Sequence, residues 1–169
     1  MTFLVFKIGS DRYALEMGRL AEVLPRIRLK QIPQAAPGIA GVFSYHGEPV
    51  PVVDISELAL RQPARNSLCN RLLVVNYPCA ADHTRRLGIL VEHATETIRR
   101  EPGDFQPAQV SNPTTPYLGP VTQDERGLIQ WLKLEEILPA SVRDQLWQQA
   151  QATIPAAVAG AGKVEAVKA

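Results

Sequence analysis

The feature that most constrains this chain is an internal echo. Ala21-Glu22-Val23-Leu24 returns as Thr95-Glu96-Thr97-Ile98, and Ile32-Pro33 returns as Gln106-Pro107, both 74 positions later. Gly41 returns as Gly119, and Val53-Asp54-Ile55-Ser56-Glu57-Leu58 as Leu132-Lys133-Leu134-Glu135-Glu136-Ile137. The offset grows from 74 to 79, as it does when loops are inserted between two copies. Each copy runs strand, hairpin, strand, short polar-flanked segment, Pro-rich link, strand, turn, strand, acidic helical turn. Chance likeness among Val/Leu-rich strands is the competing explanation, and shared order rather than identity carries the repeat.

The echo predicts a mainly β fold of two similar five-stranded small β-barrel lobes, with short helices and a C-terminal helix. Short strands close into small barrels because closure removes exposed edges. A 169-residue chain split in two leaves each lobe marginal alone, so a central hydrophobic core shared between them is expected.

Local patterns fill in the copies. Phe3–Ile8 and Arg12–Leu15 read as strands around a Gly9-Ser10-Asp11 turn. Met17, Leu20, Ala21 and Leu24 fall at i, i+3, i+4 and i+7, which predicts a short helix stopped by Pro25. Arg26, Arg28 and Lys30 alternate with Ile27, Leu29 and Gln31, as in a half-exposed strand. Ser56–Leu60 reads as a helical turn and 61–70 as a polar connector. Strands are expected at Leu72–Tyr77 and Leu87–Val91 around a loose hairpin, and at Leu118–Thr122 and Leu128–Leu134 after a Pro-bearing loop. Ser141 with Asp144 reads as a capping box opening a helix to about Gln151. The domain is therefore placed at 1–151, and the Ala/Gly-rich stretch 152–169 is expected to be a disordered tail.

Gly41 to Ile55 stands apart as strand, tight turn at His46-Gly47, and a return strand carrying Pro49 and Pro51. Two prolines at alternate positions donate no ladder hydrogen bond, which predicts an edge or barrel rim, and a rim is a docking surface. Ser44, His46 and Asp54 match a catalytic triad in residue type only, with no nucleophile elbow or oxyanion loop beside them. His46, His83 and His93 sit at no metal-ligand spacing, and Gly9, Gly38, Gly41 and Gly47 form no phosphate cradle. Neither an enzyme nor a cofactor is expected. Arg85-Arg86 and Arg99-Arg100 read as solvated strand ends. A net charge of +1 and 6% aromatic residues argue against a nucleic-acid partner. Cys69 and Cys79 make no disulfide framework, Met1–Phe6 lacks a leader's basic start, and no 18-residue apolar run exists, so a cytoplasmic protein without membrane insertion is expected.

Four segments carry a family likeness: Phe3-Leu4-Val5-Phe6 with Tyr13-Ala14-Leu15; Glu22-Val23-Leu24; Gly41-Val42 through Gly47 to Pro51-Val52-Val53-Asp54; and Gly88-Ile89-Leu90-Val91 with Tyr117-Leu118-Gly119. In order and spacing, over residues 3–140, the chain resembles CheW-like proteins, the adaptors of bacterial chemosensory arrays. The resemblance implies two five-stranded barrel lobes and a non-enzymatic adaptor role. Its partners would be the cytoplasmic tip of a chemoreceptor of the methyl-accepting type and the regulatory domain of a CheA-type histidine kinase, at membrane-associated arrays. It implies a receptor groove between the lobes, involving Leu20, Glu22, Gly41 and His46; kinase contacts would come from apolar rim residues it does not place. One departure matters. The family's turn is Asn-Leu-Arg-Gly, and here it is Ser44-Tyr45-His46-Gly47. Arginine binds a carboxylate through two parallel hydrogen bonds, which histidine cannot reproduce. A dedicated, non-flagellar chemosensory system such as surface sensing is therefore expected. The rival readings are a kinase-only array spacer or competitor of the same fold, and a small-ligand-binding barrel or enzyme.

Overall fold

A single seventeen-residue strand, His83–Arg99, organises the molecule because its two halves belong to different sheets. A computed structural model of the chain describes residues 1–80, 83–109 and 112–155. In chain order the strands are β1 (Thr2–Ile8), β2 (Asp11–Glu16), β3 (Leu20–Pro25), β4 (Ile39–Tyr45), β5 (Glu48–Asp54), β6 (Arg71–Ala80), β7 (His83–Arg99), β8 (Leu118–Asp124) and β9 (Gly127–Leu132). The helices are α1 (Ile55–Leu60) and α2 (Ala140–Thr153), with 3₁₀ turns at Met17–Arg19, Pro102–Asp104 and Leu134–Glu136. The first lobe has the order β3-β6-β7-β5-β4, and the second β7-β1-β2-β9-β8. β7 passes from one to the other near His93, whose φ of 51 marks the bend.

Alternation decides what faces where. On β6 and β7, Leu73, Val75, Tyr77, Leu87, Ile89 and Val91 turn to a large core between the lobes, joined by Leu146, Trp147 and Ala150 of α2. Leu72, Val74 and Leu90 turn the other way, with Phe43, Tyr45, Val50 and Val52, to fill the first lobe. Phe3, Ala14, Phe105 and Ile129 fill the second, with Trp131 edge-on to Phe3 at 5.0 Å.

The pairing registers carry the echo further than the sequence does. Adding 69 to β1, 74 to β2 and β3, and 79 to β4 and β5 maps one lobe's ladders onto the other's. Leu24 opposite Leu72 becomes Ile98 opposite Phe3, and Val52 beside Gly88 becomes Trp131 beside Ala14. The lone bridge Lys30–Val42 becomes Gln106–Val121. Each copy lends its first hairpin to the other's sheet: β1–β2 joins the second lobe, and β6 with the first half of β7 joins the first. Two details of the expected alignment shift. The counterpart of Gly41 is Pro120 rather than Gly119, and the link aligns Lys30 with Gln106.

Several expectations are corrected. The sheets do not close into barrels. Among the described residues no ladder joins β3 to β4; the backbone there is linked through the connecting segment by the hydrogen bonds Lys30 N to Val42 O (2.9 Å) and Val42 N to Lys30 O (2.8 Å). A link containing Pro33 and Pro37 cannot sustain a ladder there. Residues 26–31 accordingly form no strand beyond that bridge. The helix expected over Met17–Leu24 is one 3₁₀ turn followed by β3, paired with β6 from Leu20 opposite Val75 to Pro25 opposite Arg71. A two-turn helix is marginal in water, and the free edge of β6 offers a ladder instead. β5 is not an edge strand: it pairs with β4 and, through Val52–Asp54, with β7. At α2 the N-cap is Pro139, and no capping box forms; Val142 N and Arg143 N donate to the Pro139 carbonyl. That helix runs to Thr153 with Ile154 as its C-cap, and residues 156–169 of the expected tail lie outside the described residues.

Candidate functional site

The inward row of β4 ends on Tyr45, and the tight turn follows at once. His46 (φ 47) and Gly47 (φ 82) both take the left-handed conformation that a two-residue hairpin demands, and Tyr45 faces Glu48 across it. Glycine adopts this freely, and histidine is among the few other residues enriched there. The ring of Tyr45 is buried against Phe43, with centroids 6.0 Å apart, while its hydroxyl reaches out of the lobe. It donates a 2.6 Å hydrogen bond to Glu22 Oε2 on β3. β3 and β4 are the two edges of the first sheet, so this side-chain bond ties the opening that the backbone leaves. Burial first, then the Glu22 carboxylate, push the Tyr45 phenol above its ordinary pKa, which keeps it a donor.

His46 projects from the same point, with 78% of its side chain exposed. Its ring meets Tyr45 edge-on at 4.3 Å, and Nε2 lies 3.7 Å from Glu22 Oε2. Of the four residues the resemblance singles out, the structure thus brings Glu22 and His46 together. Leu20 is half-buried on β3 opposite Val75 and packs on the core between the lobes. Gly41 lies buried at a bulge of β4, where a Cβ would come within 2.5 Å of the Lys30 carbonyl oxygen. Its hydrogen atom lets the Leu29–Lys30 link lie against β4. Tyr45 was not among the expected site residues. The signal for it is an aromatic ring with a polar tip at the last inward position of a strand.

Ser44, His46 and Asp54 are not gathered. Asp54 sits at the far end of β5, buried, where it accepts from Ser56 N (3.0 Å), Glu57 N (3.2 Å) and Ala64 N (2.8 Å) and so caps α1 and fixes the connector. Among the described residues no group of three or more His, Cys, Asp or Glu side chains is arranged to hold a metal ion. Nor is any helix of the described residues long and apolar enough to cross a membrane.

Beside the turn lies an open cleft of about 540 Å³, lined by Glu48, Pro49, Asn76, Arg85, Arg86 and Trp147 among others. The Pro-bearing half of β5 forms one wall, where its pairing to β7 has not yet begun. α2 forms another: Trp147 packs on Tyr77 at 5.7 Å and its Nε1 donates to the Arg86 carbonyl at 3.0 Å. The Arg85 guanidinium carbon lies 5.5 Å from the Trp147 ring centre, a cation–π distance.

The second lobe shows the same place built differently. By the register mapping, Glu22, Tyr45 and Arg86 correspond to Glu96, Asp124 and Arg12. There Arg12 donates twice to Asp124, both at 2.7 Å, and lies 3.7 Å from Glu96, which also pairs with Arg126. The Arg12 hydrogen bonds hold the Asp124 carboxyl well below the usual carboxylate range.

Comparison with known proteins bears on this arrangement. A family model described as a CheW-like domain matches residues 2–142. A curated relative, the chemotaxis protein CheW of Helicobacter pylori, is 26% identical over 141 residues, covering 82% of this chain and 81% of that protein. The crystal structure of the scaffolding protein TtCheW from Thermoanaerobacter tengcongensis superposes with a TM-score of 0.72, covering 83% of this chain and 89% of that one at 19% identity.

Proposed function

The chain belongs to the CheW-like domain family, and from that premise we propose that it is a non-enzymatic adaptor of a bacterial chemosensory array. It would couple the cytoplasmic tip of a membrane chemoreceptor to the regulatory domain of a CheA-type histidine kinase. It would do so in the cytoplasm, at the membrane-attached array. The observation that carries this reading is the Glu22–Tyr45–His46 cluster. It places two residues that the family resemblance links to receptor contact on one exposed feature, at the hairpin bounding the open cleft of about 540 Å³. No reacting atoms need to be held for such a role: a fixed surface with directional donors and acceptors is sufficient.

The Ser-Tyr-His-Gly turn supports a dedicated, non-flagellar system such as surface sensing. An imidazole next to Glu22 presents a different face from an arginine fork, so the receptor it reads differs as well. Array contacts of this kind are transient, and affinities of about micromolar are expected. Capture experiments test the reading. Immobilised protein should retain both a CheA-type kinase and a chemoreceptor fragment from the same genome. Retention of the kinase alone would favour an array spacer, and retention of neither would end the adaptor reading. An adaptor swap tests the finer part: restoring swimming chemotaxis to a strain lacking its own adaptor would sink the non-flagellar assignment.

A further inference from the structure

The two lobes form an internal control at the mouth beside each β-turn. In the second lobe an arginine on the hairpin strand, Arg12, is locked by Asp124 at the end of β8. In the first lobe the equivalent arginine is Arg86, and the position of Asp124 is taken by Tyr45, whose hydroxyl is already given to Glu22. Arg86 is near enough to act electrostatically on the Tyr45 phenol, but among the described residues its guanidinium makes no ion pair. The carboxylates in this region do not fill the gap. Glu22 is engaged by Tyr45, with His46 at 3.7 Å, and Glu48 lines the same cleft as Arg86 without pairing with it. Arg85 adds a second guanidinium to the cleft, spread over Trp147. A guanidinium presents five N–H donors in a planar fork that matches a carboxylate, and leaving one open at the rim of a cleft is a recognition arrangement.

We infer that Arg86, with Arg85 beside it, is the acceptor site for an acidic side chain of the partner. An Asp or Glu of the segment that meets the His46 turn would occupy, on the first lobe, the place that Asp124 fills on the second. This rests on the adaptor reading and deepens it by naming the chemistry of the partner's contact. The partner is recognised by a carboxylate inserted into the cleft between the β4–β5 turn and α2.

The test is calorimetric titration of the full chain with a soluble cytoplasmic-tip fragment of a chemoreceptor from the same genome, at about 50 and about 300 mM salt. Arg86→Gln should weaken binding at low salt by at least about tenfold and remove most of the salt dependence, while the melting temperature stays within about 2 °C. Arg12→Gln, its counterpart, should do the reverse: a lower melting temperature with unchanged affinity. Arg86→Lys, which keeps the charge and loses the fork, should fall between wild type and Arg86→Gln in affinity. Binding by folded Arg86→Gln within twofold of wild type, with the same salt response, overturns the inference and leaves the adaptor reading standing. If Arg86→Gln does not fold, Arg86→Lys decides, and wild-type affinity in that variant overturns the inference. A wild-type chain that binds no receptor fragment overturns both.

Discussion

At the scale of single residues, the mouth of the first lobe depends on one hydroxyl. Tyr45→Phe keeps the ring that fills the lobe and removes the bond to Glu22. The expected loss is about 1 kcal/mol, read from the midpoint of urea unfolding at unchanged slope. Gly41→Ala should be more damaging, by about 2 kcal/mol or more, because the new methyl meets backbone rather than a movable side chain. A Gly41→Ala chain as stable as wild type would show that the Leu29–Lys30 link moves aside freely. His46→Arg is expected to leave stability unchanged, since the side chain is exposed, and to shift receptor affinity in the same titration. Equal affinity before and after would place His46 outside the contact. The family resemblance pointed to Glu22 and His46 but gave no sign of the bond between Tyr45 and Glu22. A contact 23 residues apart in sequence depends on how two edge strands face each other, which no local pattern encodes.

Among the elements, what sequence could read and what it could not divide along one physical line. β1 and β6 were visible as short apolar runs, Phe3–Phe6 and Leu72–Val75, and β2, β8 and β9 as short segments set off by turn residues. β3 was misread because four apolar residues over eight positions satisfy helical spacing by accident, and only the free edge of β6 decides between the two. The length of β7 was missed as well: its second half, Thr95-Glu96-Thr97, is polar with few apolar residues to mark a strand, and His93 takes a left-handed conformation. The β8–β9 hairpin gives an element-scale prediction. Asp124 titrates lower in the folded chain than in the unfolded one, where an aspartate has a pKa of about 3.9. Its stabilisation is thus complete above that value and is lost as pH falls towards the folded pKa. Asp124→Asn should therefore cost about 1–2 kcal/mol at neutral pH and flatten the decline in stability below about pH 4. An acid limb of unchanged steepness in that variant would show that Arg12 and Asp124 contribute nothing to the fold.

For the molecule as a whole, the exchange of hairpins makes the lobes inseparable, and the two tryptophans report on it. Trp131 belongs to the second lobe's interior, and Trp147 seals the core between lobes from α2. With either replaced by Phe, the remaining indole should report the same unfolding midpoint, because β7 runs through both sheets and neither can be lost alone. Midpoints well apart would mean that the lobes melt independently. The same exchange bears on descent and on engineering. A chain cut at the polar connector 61–70 would yield two fragments, each holding a hairpin that belongs in the other's sheet. Neither could complete itself, but mixed together they would have every strand they need. A single such fragment supplied in two copies could in principle satisfy the same pairings about a two-fold axis. Joining the copies in one polypeptide frees the halves to differ, so that one turn can keep its charges locked inward while the other offers them to a stranger.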